Sequence, residues 1–263
     1  MSIGEAGHSP ETVDGSLTAY FGVSAELLRT IANVLDIRTV LPRLSAIANR
    51  MLPHDALAMG FVDEDGQLVI QGATGDLTDV WSNMSAVGFR QAGREKWSKP
   101  GHWTDPDMLV IGKVGWGPNI HDTRLTPNEQ ITHISLWVMQ AAPLLIGADM
   151  AQFDKFTTDL MTNHEVMEVS QDVLGKGAAR IYQRERLELW ARPLADGTIA
   201  AGFFNRGLQA TTMTATWTEL GIRGSQPVRD LWLQKDLGAK SDRFTATVPA
   251  HGAVMVKIGT PRK

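Results

Sequence analysis

At 263 residues, 43% hydrophobic and 21% charged, the chain is long enough to bury a sizeable core in one large domain or two smaller ones. Its formal net charge of -4, with Lys and Arg spread along the sequence, provides no basic stripe for nucleic acid and no polybasic membrane anchor, and no run approaches the roughly 18 apolar residues that span a bilayer. The absence of cysteine excludes disulfides and thiolate metal sites.

The N-terminal MSIGEAGHSPETVDGS has no charged, apolar, small-residue succession, so no export signal is expected and cytoplasmic residence follows by default. Residues 1–21 read as a disordered lead-in, rich in Gly, Ser, Pro and acidic residues. From Ser24, a good N-cap, the positions Leu27, Ile31, Val34 and Leu35 follow helical spacing. A second helix is expected from Thr39, because Pro42 then falls in the first turn where its missing N–H costs nothing. Val40, Leu44, Ile47, Ala48 and Met51 form its apolar stripe. Pro53 ends it, and Ala56 to Gly72 reads as two strands joined by a turn at Asp63 to Gly66. This helix-then-hairpin stretch, Gly22 to Gly72, resembles the start of a GAF domain of bacterial sensor kinases and transcriptional activators. The remaining strands and helices that would line a GAF ligand pocket have no counterpart, so no ligand residue is carried over.

A helix is expected over Leu77 to Phe89, with Val80, Met84 and Val87 on one face. The stretch GHWTDPDM, residues 101–108, sets two carboxylates beside an indole. Asp105 and Asp107 alternate about Pro106, which in an extended segment sends their side chains to opposite faces. A DPD turn is otherwise a common structural device, each Asp accepting local backbone N–H groups. The glycines and Pro118 of GKVGWGPNIHDTRL forbid a long regular element. Thr126, Pro127 and Glu129 form a capping box, followed by Ile131, Ile134, Val138 and Ala142 on one helical face. The apolar run PLLIGADM has the length of a parallel strand covered on both sides, and a further helix is expected from Phe153 to Leu160. His102, His121 and His133 lack paired metal-ligand spacing and read as hydrogen-bonded structural groups, and no phosphate-binding glycine motif occurs.

From Leu174 the pattern changes to short segments rich in β-branched and aromatic residues, LELWARPL, TIAAGFFNRG, ATTMTATW, VRDLWL and FTATVPAHGAVMVKIG, separated by turns. They read as an antiparallel sandwich. Trp190, Trp217 and Trp232 can stack on sugars if exposed, but packing roles suffice for them.

From about Thr74 to the C-terminus, through GHWTDPDM, Leu109 to Met150 and NHEVMEVSQDVLGK, the sequence resembles the last third of the catalytic barrel of alpha-galactosidases and its following sandwich. These are retaining glycosidases whose relatives include alpha-N-acetylgalactosaminidases. The resemblance implies a mixed α+β architecture: a GAF-like helix-hairpin fragment (22–73), a partial (β/α) barrel segment (74–173) and a C-terminal β-sandwich (174–263). It implies Asp76 of the TGD segment as general acid/base, Asp107 and Met108 lining the sugar pocket with Trp103 behind them, a galactoside or other alpha-linked sugar as partner, and no metal or cofactor. The family's Arg four residues before the acid/base is Gly72 here. The family's nucleophile lies on the fourth barrel strand, upstream of the acid/base, where this sequence resembles GAF instead, so hydrolysis by this chain alone is not expected. Two other readings stand beside the hydrolase: a small-ligand signalling module, and a fusion without selected function joined within residues 72–80.

Overall fold

The computed structural model describes residues 41–48, 50, 58–62, 68–73, 77–115 and 117–261. The chain divides into two compact units, residues 1–76 and 77–263.

In the first unit, helix α1 (Leu41–Ala48) has Pro42 in its opening turn and buries Leu44 and Ile47, with Arg43 and Ala46 exposed. Strands β1 (Ala58–Val62) and β2 (Leu68–Ala73) pair antiparallel, with an irregularity between Met59 and Gly60. The lead-in, the helix expected from Ser24 and the turn at Asp63 to Gly66 lie outside the described residues.

The second unit opens with α2 (Trp81–Phe89), which buries Met84, Ser85, Gly88 and Phe89. It starts four residues later than the apolar spacing predicts. The Thr78 N–H donates to Asn83 Oδ1 at 2.7 Å and Asp79 turns to Arg124, 45 residues on, so residues 77–80 are held outside the helix. At Gly88 a Cβ would meet Leu136 Cδ2 and Trp137 Cζ3 at 2.7 Å each. Only glycine lets α2 approach α3 (Pro127–Met139) this closely.

Helix α3 is the axis of the unit. Its Thr126 N-cap accepts from Glu129 N while Glu129 returns a bond to Thr126 N, completing the expected capping box. Ten of its thirteen residues are buried, including Ile134, Leu136, Trp137 and Val138. Burial all round, rather than along one stripe, marks a helix enclosed by other elements. After it, the expected strand PLLIGADM is reduced to isolated bridges, Leu109↔Ile146 parallel and Val114↔Ala148 antiparallel. Its residues are half-buried and Leu145 is 53% exposed, so it is not covered on both sides. The neighbouring backbone turns away at Gly112 (φ +63) and Asp149 caps a 3₁₀ turn, which together limit the pairing. The glycine-rich loop contains a two-residue hairpin, β3 (Lys113–Val114) with β4 (His121–Asp122). The helix expected over 153–160 forms as α4 (Lys155–Thr162), and α5 (His164–Ser170) follows.

The C-terminal strands are β5 (Ala179–Arg184), β6 (Leu187–Pro193), β7 (Ile199–Asn205), β8 (Thr211–Thr216), β9 (Gln226–Asp230), β10 (Lys235–Lys240), β11 (Arg243–Val248) and β12 (Ala253–Ile258). Six form an antiparallel sheet in the order β10-β9-β12-β7-β6-β5, and β11 pairs with β8 in a separate ribbon. Period-two alternation divides the central strand β7 between two cores. Ala201 and Phe203 join Leu189, Met213, Trp217, Phe244 and Val256 in one, while Ala200 and Phe204 join Met84, Phe89, Trp137, Trp190 and Met255 in the other. One face of the sheet thus closes the sandwich and the other packs on the helices. Trp190 and Trp217 are buried, and the Trp232 indole donates to Ser135 Oγ at 2.8 Å, so all three have packing roles. Among the described residues no helix is long and apolar enough to cross a membrane, and no group of three or more His, Asp or Glu is placed to hold a metal ion.

Candidate functional site

The stretch 101–108 enters as a tight turn. Asp105 Oδ1 accepts the Asp107 N–H at 2.9 Å, and Asp107 takes a left-handed conformation with φ +83, one of the few non-glycine residue types that tolerate it. The two carboxylates therefore do not alternate across an extended strand, because the left-handed residue bends the chain between them. Both accept from backbone N–H groups, Asp105 locally and Asp107 also from a distant segment. Asp107 Oδ1 accepts from Met108 N at 2.7 Å and its Oδ2 from Leu77 N at 2.8 Å, while its carbonyl accepts the Trp137 indole N–H at 2.7 Å. Backbone and side chain of Asp107 are thus fixed by groups from three parts of the chain.

Met108 is half-buried and packs on the helical core. Its seat depends on Gly147, where a Cβ would lie 2.5 Å from Met108 Cγ. Leu109 N donates to Leu145 O at 2.6 Å and Gly147 N to Leu109 O at 3.0 Å, which sets the turn against the neighbouring extended segment. Trp103 is 50% exposed and borders two clefts. One, of about 590 Å³, includes Arg94, Trp97, Lys99 and His102, and the other, of about 530 Å³, includes Pro143, Leu144 and Val173. Asp107 and Met108 line neither cleft. Asp76 lies outside the described residues; its successor in the chain, Leu77, is the donor to Asp107 Oδ2.

Residues 71–172 match the family described as alpha galactosidase A, and residues 184–258 match the alpha galactosidase C-terminal beta sandwich domain. Over these residues the chain is similar to the C-terminal part of alpha-galactosidases. It is 35% identical over 192 residues to alpha-galactosidase 2 of Arabidopsis thaliana, covering 72% of this chain and 46% of that protein. Among solved structures it is similar to a GH27 beta-L-arabinopyranosidase from Geobacillus stearothermophilus (30% identity, TM-score 0.66, 70% of this chain and 43% of that one). It is also similar to a putative alpha-N-acetylgalactosaminidase from Bacillus halodurans (26% identity, TM-score 0.65, 71% and 46%). The chain therefore spans less than half the length of each of these relatives. Its helical part is a partial GH27-like barrel segment, followed by an antiparallel β-sandwich.

Within this alpha-galactosidase-like segment, three polar assemblies escape a reading of the sequence. Asp79 is buried, and Arg124 clamps it through its backbone N–H at 2.9 Å and through its guanidinium, with His121 Nε2 at 3.3 Å. Burial alone would raise this carboxyl, but the Arg124 hydrogen bonds and charge outweigh it and hold Asp79 down to about 2. No local pattern links residues 45 positions apart. Glu129, already used in the capping box, also meets His251 Nδ1 at 2.6 Å, and the His251 ring stacks on Trp81 with centroids 4.2 Å apart. His133 is fully buried, and its Nε2 accepts the Val110 N–H at 3.1 Å, which places its proton on Nδ1. Burial lowers its pKa to about 3, so it is a neutral structural acceptor, in keeping with the sequence reading of this histidine.

Proposed function

We propose that residues 71–258 form the C-terminal part of a retaining glycoside hydrolase for terminal alpha-D-galactosides, with Asp76 as general acid/base, Asp107 and Met108 lining the sugar subsite and Trp103 behind them. The observation that supports this most directly is the 2.8 Å bond from Leu77 N to Asp107 Oδ2, which ties the DPD turn to the residue after Asp76. Both oxygens of Asp107 are occupied by backbone donors, so its part is to hold the turn and offer a rigid wall to a sugar, not to exchange protons. The sugar class follows the relatives. A galactoside, an N-acetylgalactosaminide and a beta-L-arabinopyranoside share ring stereochemistry from C1 to C4 and differ at C2 or C5.

Retaining hydrolysis needs two carboxyl groups about 5–5.5 Å apart, one to protonate the leaving group and one to attack the anomeric carbon. The family resemblance assigns one of them, Asp76, within the matched residues. We therefore expect this chain by itself to be inactive, since loss of a nucleophile removes the covalent step outright. Hydrolysis of a chromogenic alpha-galactoside, run beside Asp76→Asn, tests both statements. Turnover by the chain and not by the variant would mean that a second carboxyl is recruited, and that the expectation of inactivity is wrong. Inactivity of both, with galactose binding retained and weakened by Met108→Ala, supports the subsite assignment.

The division into 74–173 as barrel segment and 174–263 as sandwich belongs to the same proposal, as does a GAF-type origin for residues 22–73. The latter rests on the resemblance of the sequence from Gly22 to Gly72 to the start of a GAF domain. A signalling role for that fragment would require small-ligand binding that survives Asp76→Asn and Met108→Ala.

A further inference from the structure

Against Thr104 of the loop that carries Trp103 and Asp107 lies a small cavity, of about 10 Å³, lined by Gln91, Arg94, Glu95, Ser98, Gln140 and Gly177 among others. Four buried oxygens of these residues, Gln91 Oε1, Glu95 Oε2, Ser98 Oγ and Gln140 Oε1, find no hydrogen-bond partner among the described residues. The amide orientations are not arbitrary. Gln91 Nε2 donates to Val87 O at 3.1 Å and Gln140 Nε2 to Gly88 O at 2.8 Å, and because only an N–H can donate to a carbonyl, both Oε1 atoms are left as acceptors. Gln91, Ser98 and Gln140 are each more than nine-tenths buried. Gly177 shapes the wall: a Cβ there would lie 2.8 Å from Gln140 O and 3.1 Å from Ser98 Oγ.

Leaving a buried acceptor without a proton costs roughly 1–3 kcal/mol, so four at one cavity would be a severe burden on a protein of ordinary stability. An apolar occupant would not relieve it. The volume matches about one water-sized sphere, and a resident water needs two to four polar partners. We propose that this cavity binds one water molecule as a fixed part of the fold. The water donates to two of the three acceptor-only oxygens and accepts from the Ser98 hydroxyl. It thereby adds the 3₁₀ turn Glu95–Trp97, which leads into the DPD loop, to the end of α2 and Gln140 at the end of α3, which the Gln140–Gly88 bond already joins. Gln91 and Gln140 already bind α2 carbonyls, so the water extends that lattice to the segment supporting Trp103 and Asp107. The inference does not depend on the hydrolase reading.

A crystal structure of the full chain, solved to a resolution that orders single waters, tests it. The expected result is one density peak 2.7–3.2 Å from at least two of the four oxygens. An empty cavity overturns the proposal, as does a peak with five or more oxygens near 2.4 Å, the signature of a cation. In solution, oxygen-17 magnetic relaxation dispersion should count one fewer long-lived water in Gln140→Leu than in the parent. Should that variant fail to fold, Gln91→Leu removes a different acceptor from the same cavity and should lose the same water. An unchanged count in a folded variant overturns the proposal.

Discussion

At the residue scale, the chemistry of the DPD turn is decided by which lone pairs are already in use. Asp107 has one backbone donor on each carboxylate oxygen, so Asp107→Asn must lose one of them, because an amide has only one acceptor oxygen. We expect it to lower stability by about 1–2 kcal/mol, read as a fall in the urea midpoint, with Asp105→Asn milder because its carboxylate serves one backbone donor in an exposed turn. His133 predicts an acid response. Its folded pKa of about 3 lies below the ordinary imidazole value of 6.5, so its contribution is complete above pH 6.5. As pH falls below 6.5 the unfolded chain takes up a proton that the native site refuses, and stability declines by about 1.4 kcal/mol per pH unit. Denaturation midpoints measured at pH 7, 6 and 5 should show this decline, and His133→Gln should flatten it. The hydrogen-bonded structural role of His133 was read from the lack of metal-ligand spacing, but its burial and its partner Val110 were not, since 23 residues separate the two.

At the element scale, α3 was the most legible part of the sequence, because a capping box and a proline at the first helical position are local signals that need no tertiary partner. Thr126→Ala should cost about 1 kcal/mol through loss of the cap, and Thr126→Ser should restore most of it. Thermal melts of the two variants against the parent check this. If alanine is tolerated, the reciprocal bonds of Glu129 and its contact with His251 hold the end of the helix unaided. The strand expected in PLLIGADM failed for the converse reason. An apolar run marks burial, whereas a strand needs a hydrogen-bonded neighbour along its length, and Leu109 to Gly112 supplies one for only a few residues. Strands β5 and β10 were not singled out in the sequence for a related reason. The burial pattern of β10 is mostly exposed, so it carries little apolar alternation to see.

At the scale of the whole second unit, one hydrophobic core runs from α2 through α3, α4 and α5 onto Trp190, Ala200, Phe204 and Met255 of the sheet. The barrel segment and the sandwich should therefore unfold together. All eight tryptophans lie between residues 81 and 232, so indole fluorescence reads this unit alone. Trp137→Phe and Trp217→Phe, which delete reporters on the helical and sandwich sides, should each leave a single urea transition whose shape matches in fluorescence. Two resolved transitions would show that the two parts unfold independently.

The sequence by itself determined the family resemblance, the capping box, the antiparallel strands from Leu187 onward and the local acceptor role of Asp105, because each rests on residues close together in the chain. Tertiary structure alone decided the rest. It turned Asp107 into the anchor of Leu77, drew Arg124 onto Asp79, buried both faces of β7, and left Gln91, Ser98 and Gln140 facing one small polar cavity. Each of these joins groups from separate segments, and a hydrogen bond or a packed face is specified only when the partner has arrived.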